Sequence, residues 1–362
     1  MKASKQSDSS QAAMRRRWAP AEPTEIFNTY WRFAAERQSV FFKKARGLCA
    51  PWTDDAILQT YKFTNAYRAA DRVSQYLIRH VIYSGCQNHE EVFFRVILFK
   101  LFNRIETWKN LADTVGDVSW RSYSFSKYDK VLSSAMDSGK RIYSAAYMMP
   151  AGGSSVGSGR KHTHHLRLIE TMMADGLPAQ LSRARSMREA FALIRAYPSI
   201  GDFLAYQYVT DVNYSEVTNF SEMDFVAAGP GARDGIRKCF RSLGGLTEAE
   251  LIKLVAERQA EEFASRDIEF ERLWGRPLQL IDCQNLFCEV DKYARVAHPE
   301  ALGISGRSRI KQKYRAEGNA IEYWFPPKWG LNEAVQAWMT GNSSGGGRLS
   351  PLCCGLKSPK PN

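Results

Sequence analysis

The sequence predicts an all-α fold, and three observations carry that prediction. Apolar residues recur at helical spacing through much of the chain, and the two-residue alternation of strands is scarce. Helix-start signals also precede apolar segments, as where Thr53 comes before Asp54 and Asp55. We expect helices over these ranges, the second as one long helix or two in tandem: 25–46, 53–84, 90–112, 125–137, 164–174, 187–195, 201–213, 246–266 and 283–294.

The length and composition leave room for two packed units. Of the 362 residues, 44% are hydrophobic and 12% aromatic, which supports real cores. The Gly- and Ser-rich stretch 151–161 predicts a flexible loop between helical subdomains at 23–150 and 162–335. The basic residues 1–22 and the Gly-, Ser- and Pro-rich residues 336–362 are expected to be disordered tails.

Charge and cysteine content restrict the kind of partner and the compartment. The formal net charge of +12 favours a polyanionic partner. The sequence has no run of about 18 apolar residues and no secretion signal, so we expect no contact with a membrane. The seven scattered cysteines indicate free thiols in a reducing compartment. We therefore expect a cytoplasmic protein, associated with the nucleoid in a bacterium, or a nuclear one in a eukaryote.

The turn at Gly229, Pro230 and Gly231 is the most informative local motif. It is expected to join a short apolar helix to a basic one, and its glycines would let the backbone approach an anion. Amides that open the second helix would face a DNA phosphate, with Arg233, Arg237 and Lys238 beside them. The alternative is a glycine C-cap followed by an ordinary surface helix.

Two other motifs exclude more than they predict. In the stretch 151–161 Arg160 follows Gly159, so the pattern of a phosphate-binding loop fails and the chain is not expected to be a P-loop kinase. His162, His164 and His165 lack nearby ligands at metal-binding spacing. We interpret them as surface imidazoles and expect no metal and no cofactor.

A polar stripe is expected on the first long helix after residue 53. Asn65, Arg68, Arg72 and Gln75 follow one another at steps of three and four residues. Amide and guanidinium groups suit recognition of a base or a phosphate. A solvated face with local ion pairs is the alternative.

Two further segments each offer a carboxylate. Gln207, Asp211 and Tyr214 share one face of the predicted helix 201–213, where Asp211 is a candidate base or a plain turn residue. An apolar run then delivers Asp282 to a helix start, where amides would keep its carboxylate ionised, and Lys292 lies further along that helix. A plain N-cap is the alternative for Asp282.

The stretch 307–330 combines cations with aromatic residues. Five basic residues between 307 and 315 precede Tyr323, Trp324, Phe325 and Trp329. This combination is typical of a groove that binds a nucleic-acid strand by base stacking. The alternative is a final helix and an aromatic plug that closes the core.

These segments together resemble the helix-hairpin-helix DNA glycosylase superfamily, in which two helical subdomains flank a cleft. Gly229-Pro230-Gly231, within about 222–240, is similar to the family's hairpin, and LQLID ending at Asp282 is similar to the setting of its catalytic aspartate. The 51 positions between Gly231 and Asp282 exceed the family's usual spacing, so an insertion is expected. Arg233 stands where bifunctional members have a lysine, and an arginine cannot form the Schiff base that a lyase mechanism requires, so no lyase mechanism is expected at this position.

A narrower resemblance is to the branch of that superfamily associated with hypermodified thymine in phage DNA. This branch includes the helical domain that accompanies hydroxymethyluracil DNA kinases and the glutamyl- or putrescinyl-thymine pyrophosphorylases, also called amino acid:DNA transferases. Four segments carry the resemblance: PWTDDAILQTYKFTNAYRAADRVSQYLI (51–78), FRVILFKLFNRIETW (94–108), FLAYQYVTDVNYS (203–215) and LQLIDCQNLFCEVDKYAR (278–295).

The resemblance implies a DNA-modifying transferase that acts on a 5-hydroxymethyluracil-derived base. The base would be extruded from a duplex or presented in a single strand. A nucleophile would replace an activated phosphate on the 5-methylene carbon, with Asp282 or Asp211 as base and with Arg68 and Lys292 holding the departing phosphate. Base recognition would fall to Asn65, Gln75, Gln207 and Tyr214. A functional link to a hydroxymethyluracil DNA kinase follows from the same resemblance.

Two other functions remain open at this point. A monofunctional glycosylase would use Asp282 to remove a modified base, and its product would be an abasic site. A non-catalytic DNA-binding module would deliver a partner kinase or oxygenase to DNA. The product formed on DNA distinguishes all three.

Overall fold

The fold is all-α, as the sequence predicts. A computed structural model describes residues 14–144, 160–315 and 322–345. The helices are α1 Glu25–Ala45, α2 Ala56–Thr60, α3 Arg72–Leu77, α4 His89–Phe102, α5 Ile105–Val115, α6 Phe125–Asp137, α7 Lys161–Ala174, α8 Leu177–Arg183, α9 Met187–Arg195, α10 Asp202–Val212, α11 Pro230–Cys239, α12 Glu248–Glu257, α13 Gln259–Ala264, α14 Leu280–Ala297 and α15 Asn332–Gly345. Strands β1 Glu22–Pro23 and β2 Phe240–Ser242 pair antiparallel. Short 3-10 turns cover Arg68–Ala70 and Pro327–Trp329, and a π-helical turn covers Ile78–Ile82.

Helix α4 is the most completely buried helix of the first half. Its apolar residues face every direction, and the side chains from Val92 to Leu101 are all buried. A helix that is apolar all round is enclosed by other elements, and α7, α8 and α10 pack around this one. The left-handed conformation of Asn103, with φ of 49°, ends α4 and splits the predicted helix 90–112 into α4 and α5.

Helices α1, α11 and α14 form the centre of the second half. Phe27, Tyr30 and Trp31 of α1 are fully buried and make edge or tilted ring contacts with neighbouring aromatic residues. Helix α11 packs directly on α14, and a Cβ added at Gly235 would lie 1.9 Å from the carbonyl oxygen of Phe287. The absence of a side chain at Gly235 is therefore what lets these two backbones approach each other.

The helix predicted over 53–84, as one long helix or two in tandem, is broken into the short helices α2 and α3 with irregular residues and short turns around them. Residues 61–67 are irregular between α2 and the turn at Arg68–Ala70. Carboxylates bind the backbone amides there, with Glu289 accepting from Thr64 and Asp71 accepting from Asn65 at 3.0 and 2.8 Å. Because those amides have side-chain acceptors, the segment satisfies its hydrogen bonds without a helical ladder, and the predicted single polar stripe is wrong.

The hairpin prediction is also wrong in one detail. Residues 225–229 have no regular structure, so no short apolar helix leads into the Gly-Pro-Gly turn. Gly229 is instead the N-cap of α11, with Pro230 as the first helical residue. Proline suits this position because the first amide of a helix has no partner within the helix.

Residues 14–22 and 336–345 of the tails predicted at 1–22 and 336–362 are ordered, and the rest of both tails lies outside the described residues. Residues 14–18 are helical, and the buried Trp18 packs on Phe240 and donates to Glu262 at 3.0 Å. Helix α15 continues beyond residue 336 to Gly345. The predicted loop 151–161 falls mostly outside the described residues, and its last residue, Lys161, begins α7. In the described part of the chain no helix is both long and apolar enough to cross a membrane.

The close approach of α11 to α14 makes a testable prediction. Gly235→Ala forces a methyl group against the Phe287 backbone, and we expect the free energy of unfolding to fall by about 3 kcal/mol or more. Gly341→Ala is the matched control, because it is helical and has no atom within 4 Å of the added carbon. That control should be neutral or stabilising by up to about 1 kcal/mol. Equal stability changes in urea denaturation would contradict this account of the packing.

Candidate functional site

Three of the predicted site residues surround the guanidinium of a fourth, Arg68. Its two terminal nitrogens lie 2.8 and 2.9 Å from the carboxylate oxygens of Asp211. Its Nε donates to the Gln207 side chain at 3.0 Å, and Nη1 donates to the Tyr214 hydroxyl at 3.1 Å. We call Arg68, Gln207, Asp211 and Tyr214 the arginine cluster. Each member is at most 3% exposed. The ion pair between Arg68 and Asp211 is therefore buried, and all three nitrogens of the guanidinium donate hydrogen bonds within the cluster.

A fifth member of this environment, Lys100, is missed by the sequence analysis. Its ammonium lies 3.2 Å from Asp211 and donates to Asn103 at 2.8 Å. Two cations therefore share the Asp211 carboxylate. The signal was present in the sequence, because Lys100 interrupts the apolar run that follows Arg95 in α4, and a buried lysine needs a partner.

Asp282 lies directly beside the arginine cluster. One of its oxygens accepts from the Arg68 backbone amide at 2.8 Å, and the other accepts from the Gln279 amide at 3.0 Å. Gln279 is the N-cap of α14 and forms a capping box with Asp282. Asp282 is therefore the third residue of the helix and not its N-cap, and it connects α14 to the turn that presents Arg68.

The protonation of Asp282 departs from the expected ionised state. Burial raises the pKa of Asp282 to about 7, and the two amide hydrogen bonds only partly oppose that rise. Desolvation disfavours the charged form of a carboxyl group. A group of this kind exchanges a proton near neutral pH, which is the property required of a general acid or base.

A second layer of polar and aromatic residues lies over Tyr214. Arg276 pairs with the buried Glu222 at 2.8 Å and stacks under Trp329, with its guanidinium carbon 3.7 Å from the ring centroid. The Trp329 ring also meets the Tyr214 ring edge-on at 5.5 Å. Lys328 donates to the carbonyls of Ser215 and Thr218. The aromatic residues after 322 thus form a plug over the arginine cluster, the alternative raised for this stretch.

Three predicted site residues lie outside the arginine cluster. Asn65 accepts from Arg37 at 2.7 Å and donates to the carbonyl of Ala70. Gln75 binds the Ala69 carbonyl and accepts from the Trp324 amide. Lys292 donates to Glu289 at 2.8 Å. It follows Asp282 by ten residues, or about 15 Å of helix, so the two cannot act on the same small group.

The predicted phosphate-binding residues divide into exposed and buried sets. Arg233 and Arg237 are exposed on α11. Lys238 is buried and pairs with Asp291 at 3.0 Å, so its ammonium is not presented to a DNA phosphate. A Cβ on Gly229 would strike the Phe203 ring, and one on Gly231 would strike the Cys288 sulfur. The glycines therefore serve packing inside the protein.

The three histidines are not a surface group as expected. His162 and His165 are buried, and His164 is half-buried. The His162 ring contacts Asp129 and Ser133 at 3.1 Å, and the His165 ring contacts the Tyr143 hydroxyl at 2.8 Å. They join α7 to α6 and to the segment that follows α6.

Comparison with known proteins places this site in a family. The family described as "5-hmdU DNA kinase, helical domain" matches residues 24–303, which include the arginine cluster and Asp282. A protein named 5-hmdU DNA kinase, from Bacillus phage SP10, is 24% identical over 334 residues, covering 86% of this chain and 52% of the relative. The chain thus spans about half the length of that curated relative. No solved structure matches this chain.

The arginine cluster predicts a large cost for removing its carboxylate. Asp211→Ala leaves two buried cations without that partner, and we expect the free energy of unfolding to fall by about 3–5 kcal/mol. The control is Glu271→Ala, which breaks an exposed pair with Arg46 and should cost less than about 1 kcal/mol. Chemical denaturation of both variants measures the difference. A loss at Asp211 no larger than that at Glu271 would show that the cluster does not stabilise the fold.

The raised pKa of Asp282 predicts a pH dependence with a definite sign. Its pKa is about 7 in the folded protein against an ordinary 3.8, so the folded state binds the proton more tightly between these values. The contribution of Asp282 to stability is therefore largest at low pH and decreases as pH rises from about 4 to about 7. Wild type should lose stability relative to Asp282→Asn over this window. Denaturation at several pH values measures the free energy of unfolding of both proteins. If the value for wild type minus the value for Asp282→Asn stays constant or increases with pH, this account of Asp282 is wrong.

Proposed function

The chain belongs to the family of 5-hmdU DNA kinase helical domains, and on this premise we propose that it acts in hypermodification of thymine in DNA. The proposed substrate is a base derived from 5-hydroxymethyluracil that carries an activated phosphate. The proposed reaction replaces that phosphate on the 5-methylene carbon by a nucleophile. DNA is the proposed partner, as a duplex with an extruded base or as a single strand, and a hydroxymethyluracil DNA kinase would supply the activated base.

One observation carries the proposal. Arg68, Asp211 and Asp282 belong to three segments that are distant in sequence, and each segment resembles the thymine-hypermodification branch. Both carboxylates lie within hydrogen-bond distance of Arg68, Asp282 at its backbone amide and Asp211 at its guanidinium. Such convergence around a carboxyl group with a raised pKa is typical of a functional site.

In the proposed reaction Asp282 is the base. With a pKa of about 7 it is partly ionised at neutral pH and can accept the proton of the incoming nucleophile. The carbon–nucleophile bond forms as the carbon–oxygen bond to the phosphate breaks, and the phosphate leaves with the bonding pair. Because Asp211 already holds the Arg68 guanidinium, Arg68 is proposed to position Asp282 through its backbone amide.

The proposed reaction requires the site to open. Asp282 is 4% exposed and Arg68 is 3% exposed. The plug that contains Trp329 contacts Tyr214, and the Trp324 amide contacts Gln75. Displacement of this aromatic plug would bring Gln75, Gln207 and Tyr214 within reach of a base edge. Asn65 would remain at the margin of the site, next to Asp71, whose pKa burial raises to about 7.

DNA binding is proposed to use the start of α11. Arg233 is exposed in the first turn of this helix, where the helix dipole favours an anion. Arg237 is exposed in the last turn and also contacts Glu248 at 3.4 Å. We leave Lys238 and Lys292 out of the proposal, because their ammonium groups pair with Asp291 and Glu289. Gly231→Glu is unsuited to testing DNA contact, since the new side chain would first disrupt packing against Cys288.

A non-catalytic role is the second candidate, and one observation favours it. Both carboxylate oxygens of Asp282 accept backbone amides, and the arginine cluster is buried. Such a network also suits a purely structural purpose, in a module that delivers a kinase or an oxygenase to DNA.

Replacing Asp282 tests the proposed function directly. DNA that carries 5-(phosphoryloxymethyl)- or 5-(pyrophosphoryloxymethyl)uracil is incubated with the protein and an amine or amino acid donor, and the nucleosides are analysed by mass spectrometry. We expect wild type to form a heavier base in an intact strand. Asp282→Asn should reduce turnover by at least about a hundredfold, the lower range for loss of a general base, while DNA affinity stays within a few-fold.

The control and the other outcomes separate the candidate functions. Asp54→Asn makes the same change at an exposed position and should retain turnover. An abasic product from wild type would instead identify a monofunctional glycosylase. DNA binding without any product, unchanged in Asp282→Asn, would support the non-catalytic module and overturn the transferase.

A further inference from the structure

An extended segment crosses α11 and α14 beyond the region that matches the family. We call residues 302–315 the basic strap. It carries five cations and no acidic residue, and all five are exposed. They are Arg307, Arg309, Lys311, Lys313 and Arg315. The family match ends at residue 303, so all five cations of the strap lie beyond it.

Asp234 of α11 holds the first end of the strap. This carboxylate is 2% exposed and accepts from the Ser305 amide at 2.9 Å and from Arg307 at 2.8 Å. The Ser305 hydroxyl also donates to it. Gly303 passes so near that a Cβ there would lie 2.9 Å from Asp234. Asp234 follows Arg233, so this contact fixes the strap next to an exposed arginine of the proposed DNA-binding helix.

Backbone hydrogen bonds hold the second end. The Lys62 amide donates to the Gln312 carbonyl at 3.0 Å, and the Tyr314 amide donates to the Thr60 carbonyl at 2.9 Å. Arg295 of α14 donates to the Arg309 carbonyl at 3.0 Å. The strap is thus ordered by its backbone and by the contacts of Ser305 and Arg307 with Asp234, while the other cationic side chains are exposed.

Arg307 is the strap cation that pairs with Asp234, and the other strap cations face outward. Among the described residues no carboxylate forms an ion pair with Arg309, Lys311 or Lys313, although the Lys313 ammonium lies 4.3 Å from the Tyr61 ring centroid. Nine residue steps separate Ser305 from Tyr314, which allow at most about 30 Å. A row of cations on an ordered backbone suits a polyanion of repeating charge. Because the strap backbone is already ordered, it loses little conformational entropy when the polyanion binds.

We propose that the basic strap binds the sugar–phosphate backbone of DNA as a second contact, continuous with Arg233 of α11. The proposal rests on the proposed function only in taking DNA as the polyanion. Leu302 and Ile304 are 67% and 68% exposed at the end of the strap next to Asp234. Exposed apolar side chains beside cations suit contact with deoxyribose and base edges in a groove.

The test measures the salt dependence of DNA binding. The variant Arg309→Gln/Lys311→Gln/Lys313→Gln and wild type are titrated with an unmodified duplex of about 20 base pairs, or two helical turns. Fluorescence anisotropy is followed from low to physiological salt. We expect the variant to bind at least about tenfold more weakly, and the slope of log K against log salt to become shallower by about 2–3, since each phosphate contact contributes about 0.9.

A control with the same change in charge makes the result specific. Lys127→Gln/Lys130→Gln/Lys140→Gln removes three exposed cations on and after α6. It should change the slope by less than about 1, the value of one phosphate contact. Equal effects of the two variants, or no effect of the strap variant, would overturn the strap while leaving the proposed function intact. If wild type itself fails to bind DNA, the proposed role of the strap and the proposed function are both overturned. Circular dichroism verifies that each variant is folded.

Discussion

The buried pairing of Arg68 with Asp211 is the interaction on which the rest of the site depends. A guanidinium taken out of water needs a carboxylate and further acceptors close by. Asp211 of α10 supplies the carboxylate, and Gln207 and Tyr214 supply the acceptors. The pair therefore joins the turn at Arg68–Ala70 to α10. It also aims the Arg68 backbone amide at Asp282, which connects the turn to α14.

Helix α14 organises its neighbours through carboxylates spaced along it. Asp282 binds the Arg68 amide, Glu289 binds the Thr64 amide, and Asp291 pairs with Lys238 of α11. Within the irregular residues 61–67, Glu289 and Asp71 accept backbone amides that a helical ladder would otherwise use. Glycines act alongside them, because the lack of a side chain at Gly231 and Gly235 brings α11 onto α14. The Gly-Pro-Gly motif, which the sequence predicts to bind a phosphate, therefore lies where α11 packs on α14.

The accuracy of the sequence predictions followed how local each feature is. Helices α6 and α9 have the predicted bounds, 125–137 and 187–195, because their apolar periodicity and start signals lie within the segment. The helix over 53–84 was wrong, because Asp71 and the distant Glu289 take its amides. Lys100 and Arg276 were missed, since nothing in their own segments shows which carboxylate they meet.

The sequence by itself determined the all-α class, most helix positions and the residues worth considering in the site, because periodicity and residue chemistry are local properties. Only the tertiary structure decided which of them meet. It gathered Arg68, Gln207, Asp211 and Tyr214 beside Asp282 and left Asn65 and Lys292 outside. The physical reason is that burial and pairing depend on segments more than a hundred residues apart. Desolvation, which raises the pKa of Asp282, exists only once those segments have packed.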